Sequence, residues 1–223
     1  MISFEYPEQL AMCAEVAHSF VIDCGAFTKW KAGKGEVDES AYVDFVRQWF
    51  RHPGFDWCII PDIIDGDEAA NDTLIEGWPL KIEISVPVWH MHESPERLAR
   101  LCEDFPRVAI GSSGEFADIG TQRWWSRMSE AMEYACDGDG RPFAKLHGLR
   151  QMDPTVFSHI PYASVDSTVV ARNINLDTRW TGSYQPLTER TRAIVLRERV
   201  EHHASAARWT GSSGVQKNLE LVG

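Results

Sequence analysis

The sequence predicts an α/β protein with a parallel sheet, and a closed (β/α)8 barrel is the first choice, with an open doubly wound sheet as the alternative. Seven apolar runs typical of strands alternate with helical patterns along most of the chain. Such alternation favours parallel strands joined by helices. The 223 residues are enough for one domain with a sizeable core, although a barrel usually takes roughly 250.

The N-terminal half contains four strand candidates and two helices. DWCIIPD is a short continuous apolar run, which predicts a buried strand. ESAYVDFVRQWF is helical because its apolar side chains recur every three or four residues and form one face, namely Tyr42, Phe45, Val46, Trp49 and Phe50. The strands are predicted at residues 2–6, 19–23, 56–62 and 82–90, and the helices at residues 8–18 and 39–50.

The second half continues the alternation and then loses it. Ser94 can cap a helix that has Pro95 at its first position, and the following helix has Trp124, Met128, Met132 and Ala135 on its buried side. Strands are predicted at residues 107–111, 142–147 and 160–166, and helices at residues 93–105, 121–135 and 187–207. The eighth strand is expected within TVVARNI or beyond it, so the TIM-like barrel is allowed an irregular closure.

Composition and charge narrow the class of protein. The longest apolar runs are too short to span a bilayer, so no membrane partner is expected. Five cysteines without a CxxC pair argue against a disulfide framework and a structural zinc site, which favours a reducing cytoplasm. The net charge of −11 argues against a protein that simply coats nucleic acid.

The charge is unevenly distributed along what we expect to be one domain, residues 1–223. Residues 167–223 carry eight Lys and Arg against five Asp and Glu, so the C-terminal loop and helix segment, residues 174–223, is basic. This segment leaves room for a local contact with a polyanion. It also holds the second copy of RWTGS, at 208–212, the first being at 179–183. The repeated Arg-Trp pair is either a small duplicated turn or a pair that stacks a base and contacts a phosphate.

Polar residues stand at the carboxyl ends of six predicted strands. These ends share one face of a parallel barrel, and that face carries the active site. Three interpretations remain open: carboxylates acting at a glycosidic carbon, a metal centre using His90, His92, His147 and Asp166, or a ligand site without catalysis. The strand-end residues are Asp23, Asp62, His90 with His92, GSSGE at 111–115, His147 with Gly148, and Asp166.

Taken in order, these strand ends resemble the tRNA-guanine transglycosylases, and more closely the short phage-type relatives that insert 7-deazaguanines into DNA. FVIDCGAF is similar to the family's Asp-Ser-Gly-Gly-Phe, which implies that Asp23 is the acid/base. WCIIPD is similar to the strand whose aspartate reads the guanine edge, which implies Asp62. SVDSTVVARN resembles the nucleophile motif, which implies Asp166 as nucleophile and Arg172, six residues later, as a phosphate contact.

Three further segments complete the resemblance, which covers residues 19–173. AIGSSGE is similar to Gly-Gly-Leu-x-x-Gly-Glu, whose backbone holds the base, and LHGL stands where a Met-Gly-Val-Gly turn packs on the heterocycle. VPVWHMHE occupies the place of a base-contacting Gln-Gly-Gly turn. The implied substrate-binding residues are therefore Asp62, His90, Gly111, Ser112, Ser113, Gly114, His147 and Gly148, and the nucleic-acid contacts are Arg172 and Arg179.

Departures from the family pattern decide what the resemblance implies. The family's Cys-x-Cys-x-x-Cys…His zinc site is absent from the sequence and the chain is much shorter than the tRNA enzymes, which favours DNA over tRNA. Trp89-His90-Met91-His92 replaces Gln-Gly-Gly, which leaves the incoming base open.

The sequence therefore predicts a DNA-guanine transglycosylase, a pentosyltransferase that exchanges guanine in DNA for a 7-deazaguanine such as preQ0. The exchange runs through a covalent aspartyl intermediate without a metal or other cofactor. The expected partners are guanine-containing DNA and the free 7-deazaguanine base, in the cytoplasm of a host cell if the protein is phage-encoded. A homo-oligomer is compatible with the sequence. The alternatives are the same chemistry on tRNA, or a metal-dependent barrel hydrolase that uses His90, His92 and His147.

Overall fold

Short parallel strands build the centre of the molecule. The computed structural model describes residues 1–168, 170, 174–175, 180 and 184–211, and within these residues eight strands form two four-stranded sheets. Every strand pair is parallel, which confirms the α/β prediction. The strands are β1 (Ile2–Ser3), β2 (Phe20–Asp23), β3 (Phe55–Ile59), β4 (Ser85–Val86), β5 (Val88–His90), β6 (Arg107–Gly111), β7 (Lys145–Gly148) and β8 (Tyr162–Val165).

Within each sheet, neighbouring strands are consecutive in the chain, in the orders β1-β2-β3-β4 and β5-β6-β7-β8. Pro87 separates the two sheets because it has no N–H to donate to a ladder. Its carbonyl still accepts from the N–H of Ala109 at 2.9 Å. The predicted strand at 82–90 is thus a 3₁₀ turn (Ile82–Ile84) followed by β4, Pro87 and β5.

Helices connect the strands, and side-chain caps set where several of them begin. Ser94 accepts a hydrogen bond from the N–H of Arg97 and Pro95 follows it, which confirms the predicted start of that helix. Asp38, Asp67, Thr121 and Thr188 cap four others in the same way. The helices are α1 (Glu8–Val16), α2 (Ala26–Ala32), α3 (Glu39–Trp49), α4 (Glu68–Gly77), α5 (Pro95–Asp104), α6 (Gln122–Ala135), α7 (Pro154–Phe157) and α8 (Glu189–Glu201).

Two helices pack on the sheets much as their patterns predict. The four α6 residues expected on its buried side, Trp124, Met128, Met132 and Ala135, are all fully buried. On α3, Tyr42 is fully buried and its hydroxyl donates to the carbonyl of Ile59 at 2.9 Å, which fixes the helix against β3. Phe50 lies just beyond the end of α3 and is 40% exposed, so its predicted place on the buried face is wrong.

Side chains connect strands that are not hydrogen-bonded neighbours, both between the two sheets and within the second sheet. The Trp57 ring on β3 lies 4.9 Å from the His147 ring on β7, measured between centroids. Arg107 on β6 stacks over Trp57 at 5.0 Å and reaches the Ser164 hydroxyl on β8 at 3.4 Å. Among the described residues no ladder joins β8 to β1, so the structure shows an α/β fold with two four-stranded parallel sheets, and a closed barrel is not shown.

The residues after α8 return to the amino-terminal side of the sheets. The N–H of Ala206 donates to the carbonyl of Ile160 at 3.2 Å, and the N–H of Trp209 donates to the carbonyl of Gly140 at 2.7 Å. Trp180 of the first RWTGS is buried beneath Arg199, whose guanidinium lies 4.8 Å from its ring. Both tryptophans of the repeat are thus at least partly buried, whereas Arg172 and Arg179 lie outside the described residues.

Gly140 offers a test of this tail contact. Its φ is +76°, and a Cβ placed on it would lie 2.0 Å from the carbonyl oxygen of Trp209. We expect Gly140→Ala to lower the free energy of unfolding by about 2 kcal/mol or more, because both the backbone strain and the clash must be relieved. Urea unfolding measures this, and Gly138→Ala is the control, since nothing lies within 4 Å of a Cβ there. Equal losses in the two variants would contradict the tail contact.

Among the described residues, no helix combines the length and the apolar character that a membrane span requires.

Candidate functional site

A cavity of about 800 Å³ opens at the carboxyl ends of the strands. Pockets of this size accommodate a ligand as large as a nucleotide. Its wall includes residues from both sheets, beginning with Ser3 on β1 and ending with Asp166 after β8. Of the residues that the sequence predicts for a site, seven line it: Asp23, Asp62, His90, Gly111, Ser112, Ser113 and Asp166.

Asp23 ends β2 and is the most perturbed carboxyl of the cavity. Burial, together with the negative charges of Asp62 and Asp166, raises the pKa of Asp23 from 3.8 to about 7. Hydrogen bonds from the Gly25 backbone and the Ser3 side chain oppose part of this increase. A carboxyl group with such a pKa exchanges its proton near neutral pH, which suits a general acid and base.

Asp62 follows β3, and each oxygen of its carboxylate contacts another side chain. Its Oδ2 lies 2.9 Å from Nε2 of His90, and its Oδ1 accepts a weak hydrogen bond from the thiol of Cys24 at 3.7 Å. The Asp62 side chain is 9% exposed and that of His90 is 2% exposed. The carboxylate is therefore fixed in position at the cavity wall.

A buried ionic network binds the backbone of His90. The backbone N–H of His90 donates to Oε2 of Glu93 at 2.8 Å, and the same oxygen accepts from the guanidinium of Arg97 at 2.7 Å. Asn71 donates to the other oxygen of Glu93 at 3.0 Å, and Nε of Arg97 donates to Asp72 at 2.7 Å. Because both charges of the Glu93–Arg97 pair are buried and hydrogen-bonded, loss of either would leave the other uncompensated.

Asp166 follows β8 and is oriented by the turn after β7. Its Oδ1 accepts the backbone N–H of Arg150 at 2.9 Å and lies 3.5 Å from Nε2 of His147. Arg150 has a φ of +60°, the only positive value among the described residues other than glycine. A left-handed conformation at such a residue costs about 1 to 2 kcal/mol. That conformation places the Arg150 N–H against the carboxylate.

His147 lies beneath Asp166 rather than in the cavity wall. It is 2% exposed, and its Nδ1 lies 2.8 Å from the hydroxyl of Ser164. Gly148 is required by packing, since a Cβ there would lie 3.0 Å from the Tyr162 ring. The structure therefore brings His147 and Gly148 close to Asp166 without exposing them to the cavity.

The GSSG turn after β6 is positioned by α6. The hydroxyl of Ser112 accepts a hydrogen bond from Nε1 of Trp124 at 2.7 Å and donates one to the carbonyl of Phe116 at 2.7 Å. This hydroxyl is therefore engaged in hydrogen bonds within the protein. Gly111 is needed beside His90, because a Cβ there would lie 2.9 Å from Nδ1 of that ring. Gly114 has a φ of +57° and lies outside the cavity wall.

The three candidate histidines have different polar partners, although the His90 and His92 rings stack with 5.5 Å between their centroids. His90 faces Asp62, His147 faces Asp166, and Nε2 of His92 lies 3.0 Å from the carbonyl of Gly66. Across the part of the chain that the structure describes, no three His, Cys, Asp or Glu side chains are placed to hold one metal ion. Nothing in this geometry favours the metal-hydrolase alternative.

The structure also brings residues to the cavity that the motifs do not predict. Ser3 hydrogen-bonds Asp23, and Phe27 and Lys31 line the wall from α2. Arg150 orients Asp166 and lies over the Phe27 ring at 4.1 Å. Two features of the sequence could have indicated these cavity residues: the polar Ser3 in the first strand, and the arginine that directly follows HGL.

Comparisons with protein-family models, with curated proteins and with solved structures find no match to this chain.

Proposed function

We propose that this protein is a DNA-guanine transglycosylase, which exchanges guanine in DNA for a 7-deazaguanine base through a covalent intermediate on Asp166. One observation carries the proposal: three carboxyl groups, those of Asp23, Asp62 and Asp166, meet in one cavity in three different environments. Base exchange at C1′ requires a nucleophile, a proton donor and a group that recognises the base. Carboxyl groups in separate environments can divide these roles.

In the proposed fold β4 and β5, which only Pro87 separates, form one strand position, so the two sheets supply seven strands of a (β/α)8 barrel. The eighth strand is the one predicted within TVVARNI or beyond it, and that segment lies largely outside the described residues. Support comes from the cavity, which Ser3 on β1 and Asp166 after β8 line together. The charge of Asp166 also acts on Asp23, which ends the strand beside β1. In a closed barrel all the strand ends surround one site, as the proposed chemistry requires.

The first half of the exchange releases guanine. Oδ of Asp166 attacks C1′ of the nucleotide, and the electron pair of the C1′–N9 bond goes to the base. Asp23 gives its proton to the departing guanine, so that guanine leaves neutral and Asp23 becomes a carboxylate. The Arg150 N–H holds the Asp166 carboxylate in place for the attack.

The second half restores the enzyme. N9 of the incoming 7-deazaguanine attacks C1′, and the C1′–O bond to Asp166 breaks with its electron pair returning to the carboxylate. Asp23 takes the N9 proton of the incoming base and regains its acid form. A group with a pKa near 7 performs both proton transfers well at neutral pH.

Asp62 is proposed to recognise the base. Its carboxylate accepts the N1–H and the exocyclic N2–H₂ of guanine, a pair of donors that the Watson–Crick edge of adenine lacks. His90 fixes the carboxylate at 2.9 Å, which keeps its oxygens aligned with a planar edge. A target base must first leave its stack to enter the cavity, at a cost of about a few kcal/mol.

Base exchange itself tests the proposal. The protein is incubated with guanine-containing DNA and radiolabelled guanine or 7-deazaguanine, with tRNA as the parallel substrate. We expect label to enter DNA. Label in tRNA alone would retain the chemistry and overturn the choice of polymer. Absence of label from both polymers would overturn the proposed function.

The pH dependence of guanine release gives a further prediction. We expect the rate to fall as the pH rises through about 7, because Asp23 then loses the proton it must donate. The negative charge of Asp62 raises the pKa of Asp23, and Asp62→Asn removes that charge. In this variant the fall in the rate of guanine release should therefore occur at a lower pH than in the wild type. Single-turnover release of guanine from pH 5 to 9 measures both curves, and the exposed Asp65→Asn is the control. A fall at an unchanged pH in Asp62→Asn would contradict the role of Asp23.

A further inference from the structure

The mouth of the cavity carries a rim of aromatic and cationic side chains. We define the rim as Phe27, Trp30, Lys31, Lys34 and Arg150. The Arg150 guanidinium lies 4.1 Å from the centroid of the Phe27 ring, and the centroid of the Trp30 ring lies 5.6 Å from the same Phe27 centroid. Phe27, Lys31 and Arg150 also line the cavity itself, so the rim and the cavity are continuous.

The rim exposes groups that proteins usually bury or pair. Trp30 is 41% exposed, and Lys31 and Lys34 are exposed as well. Neither of these two lysines has a carboxylate partner among the described residues. Lys29 differs, because it pairs with Glu5 at 3.8 Å and donates to the carbonyl of Glu36 at 3.2 Å. An exposed indole followed by two lysines without a carboxylate partner is available to a partner molecule.

The charge at the rim is opposite to that of its surroundings. The chain as a whole carries −11, and the wall of the cavity contains the carboxyl groups of Asp23, Asp62 and Asp166. Lys31 and Arg150 of the rim line the same cavity as these carboxyl groups. A nucleotide has the matching distribution, because its phosphates are anionic and its sugar carbon becomes positive when the base departs.

We propose that the rim binds an unpaired segment of DNA next to the target guanosine. Lys31 and Lys34 contact phosphates, and Trp30 stacks on the base beside the one that enters the cavity. This inference rests on the proposed function for the identity of the polymer. It assigns strand binding to α2 and to Lys34, which follows the Gly33 C-cap, whereas the sequence predicts nucleic-acid contacts at Arg172 and Arg179.

An unpaired strand fits the rim better than a duplex. An indole can stack only on a base whose face is free, and the faces of bases inside a duplex are covered by their neighbours. Lysines beside an exposed aromatic side chain are the usual arrangement of grooves that bind single strands. The same arrangement would hold a strand from which one base has already been extruded.

Fluorescence anisotropy with a labelled single-stranded oligonucleotide containing one guanine tests the inference. Lys31→Ala/Lys34→Ala should bind about tenfold more weakly at 0.1 M salt, and its slope of log affinity against log salt should be shallower by about 1.4, because two phosphate contacts are lost. Trp30→Ala should bind about tenfold more weakly with an unchanged salt slope. Lys81→Ala and Phe143→Ala are matched controls, since both are exposed and precede strands β4 and β7 at the opposite end of the sheets.

The outcomes separate this inference from the proposed function. Weaker binding by the rim variants alone supports the rim, even if the wild-type protein exchanges no base. If the protein exchanges bases normally and both rim variants bind the strand with unchanged affinity, the inference about the rim is overturned. Tighter binding of a fully paired duplex of the same sequence also overturns it, because the rim would then contact a helix rather than an unpaired strand.

Discussion

Asp166→Asn is expected to reduce exchange of labelled guanine into DNA by at least about a thousandfold, because an amide cannot form the glycosyl ester. The fold should be retained. The carbonyl oxygen of the amide can still accept the Arg150 N–H, and the side chain is 23% exposed, so that little buried packing changes. A filter-binding assay that counts label in the polymer measures the loss.

The matched control for this substitution is Asp104→Asn. Asp104 is an exposed carboxylate at the end of α5, shortly before the amino end of β6, and it does not line the cavity. We expect full activity from it and an unfolding midpoint close to that of the wild type. More than about a tenth of wild-type exchange in Asp166→Asn would show that another group attacks C1′.

Asp23→Asn is expected to lose activity and gain stability in the same molecule. Loss of the proton donor should reduce exchange by about a hundredfold to ten-thousandfold. The pKa of Asp23 is raised to about 7 in the folded protein, so the folded state retains a proton that the unfolded chain releases near pH 4. The contribution of Asp23 to the free energy of unfolding is therefore most favourable below about pH 4, and it decreases as the pH rises to about 7. Asparagine has no such loss.

The gain from Asp23→Asn should therefore grow with pH. It should be small at pH 4.5 and largest at pH 8.5, with an upper limit of about 4 kcal/mol set by the change in pKa. Urea unfolding at the two pH values measures the free energy of unfolding of both proteins. The exposed Asp65→Asn provides a control in which the difference should stay within about 0.5 kcal/mol. A gain in Asp23→Asn that does not change with pH would contradict the assigned pKa.

The ends of the strands could be predicted from the sequence because an apolar run followed directly by a carboxylate is a pattern of neighbouring residues. VID and IIPD each place an aspartate where a buried strand meets solvent, and YASVD does the same. The structure brings Asp23, Asp62 and Asp166 to one cavity, as parallel strands require. Their chemical roles stay predictions.

Other features depend on contacts that local pattern does not encode. The short helix α2 carries KWKA, in which lysines interrupt the apolar spacing, so the sequence predicts no helix there. The left-handed conformation of Arg150 is set by its contact with Asp166, which lies 16 residues away. Arg97 lies on the buried face of α5, four residues before Leu101, and the burial of its charge depends on Glu93 and Asp72, which pair with it.

Detection of the covalent intermediate tests the central claim most directly. The protein is mixed with a guanine-containing oligonucleotide without an acceptor base, quenched with acid, and separated under denaturing conditions. We expect an adduct with the mass of protein plus oligonucleotide minus guanine, mapped by peptide mass spectrometry to Asp166. Base exchange by the same preparation without such an adduct, or with an adduct on Asp23, would contradict it.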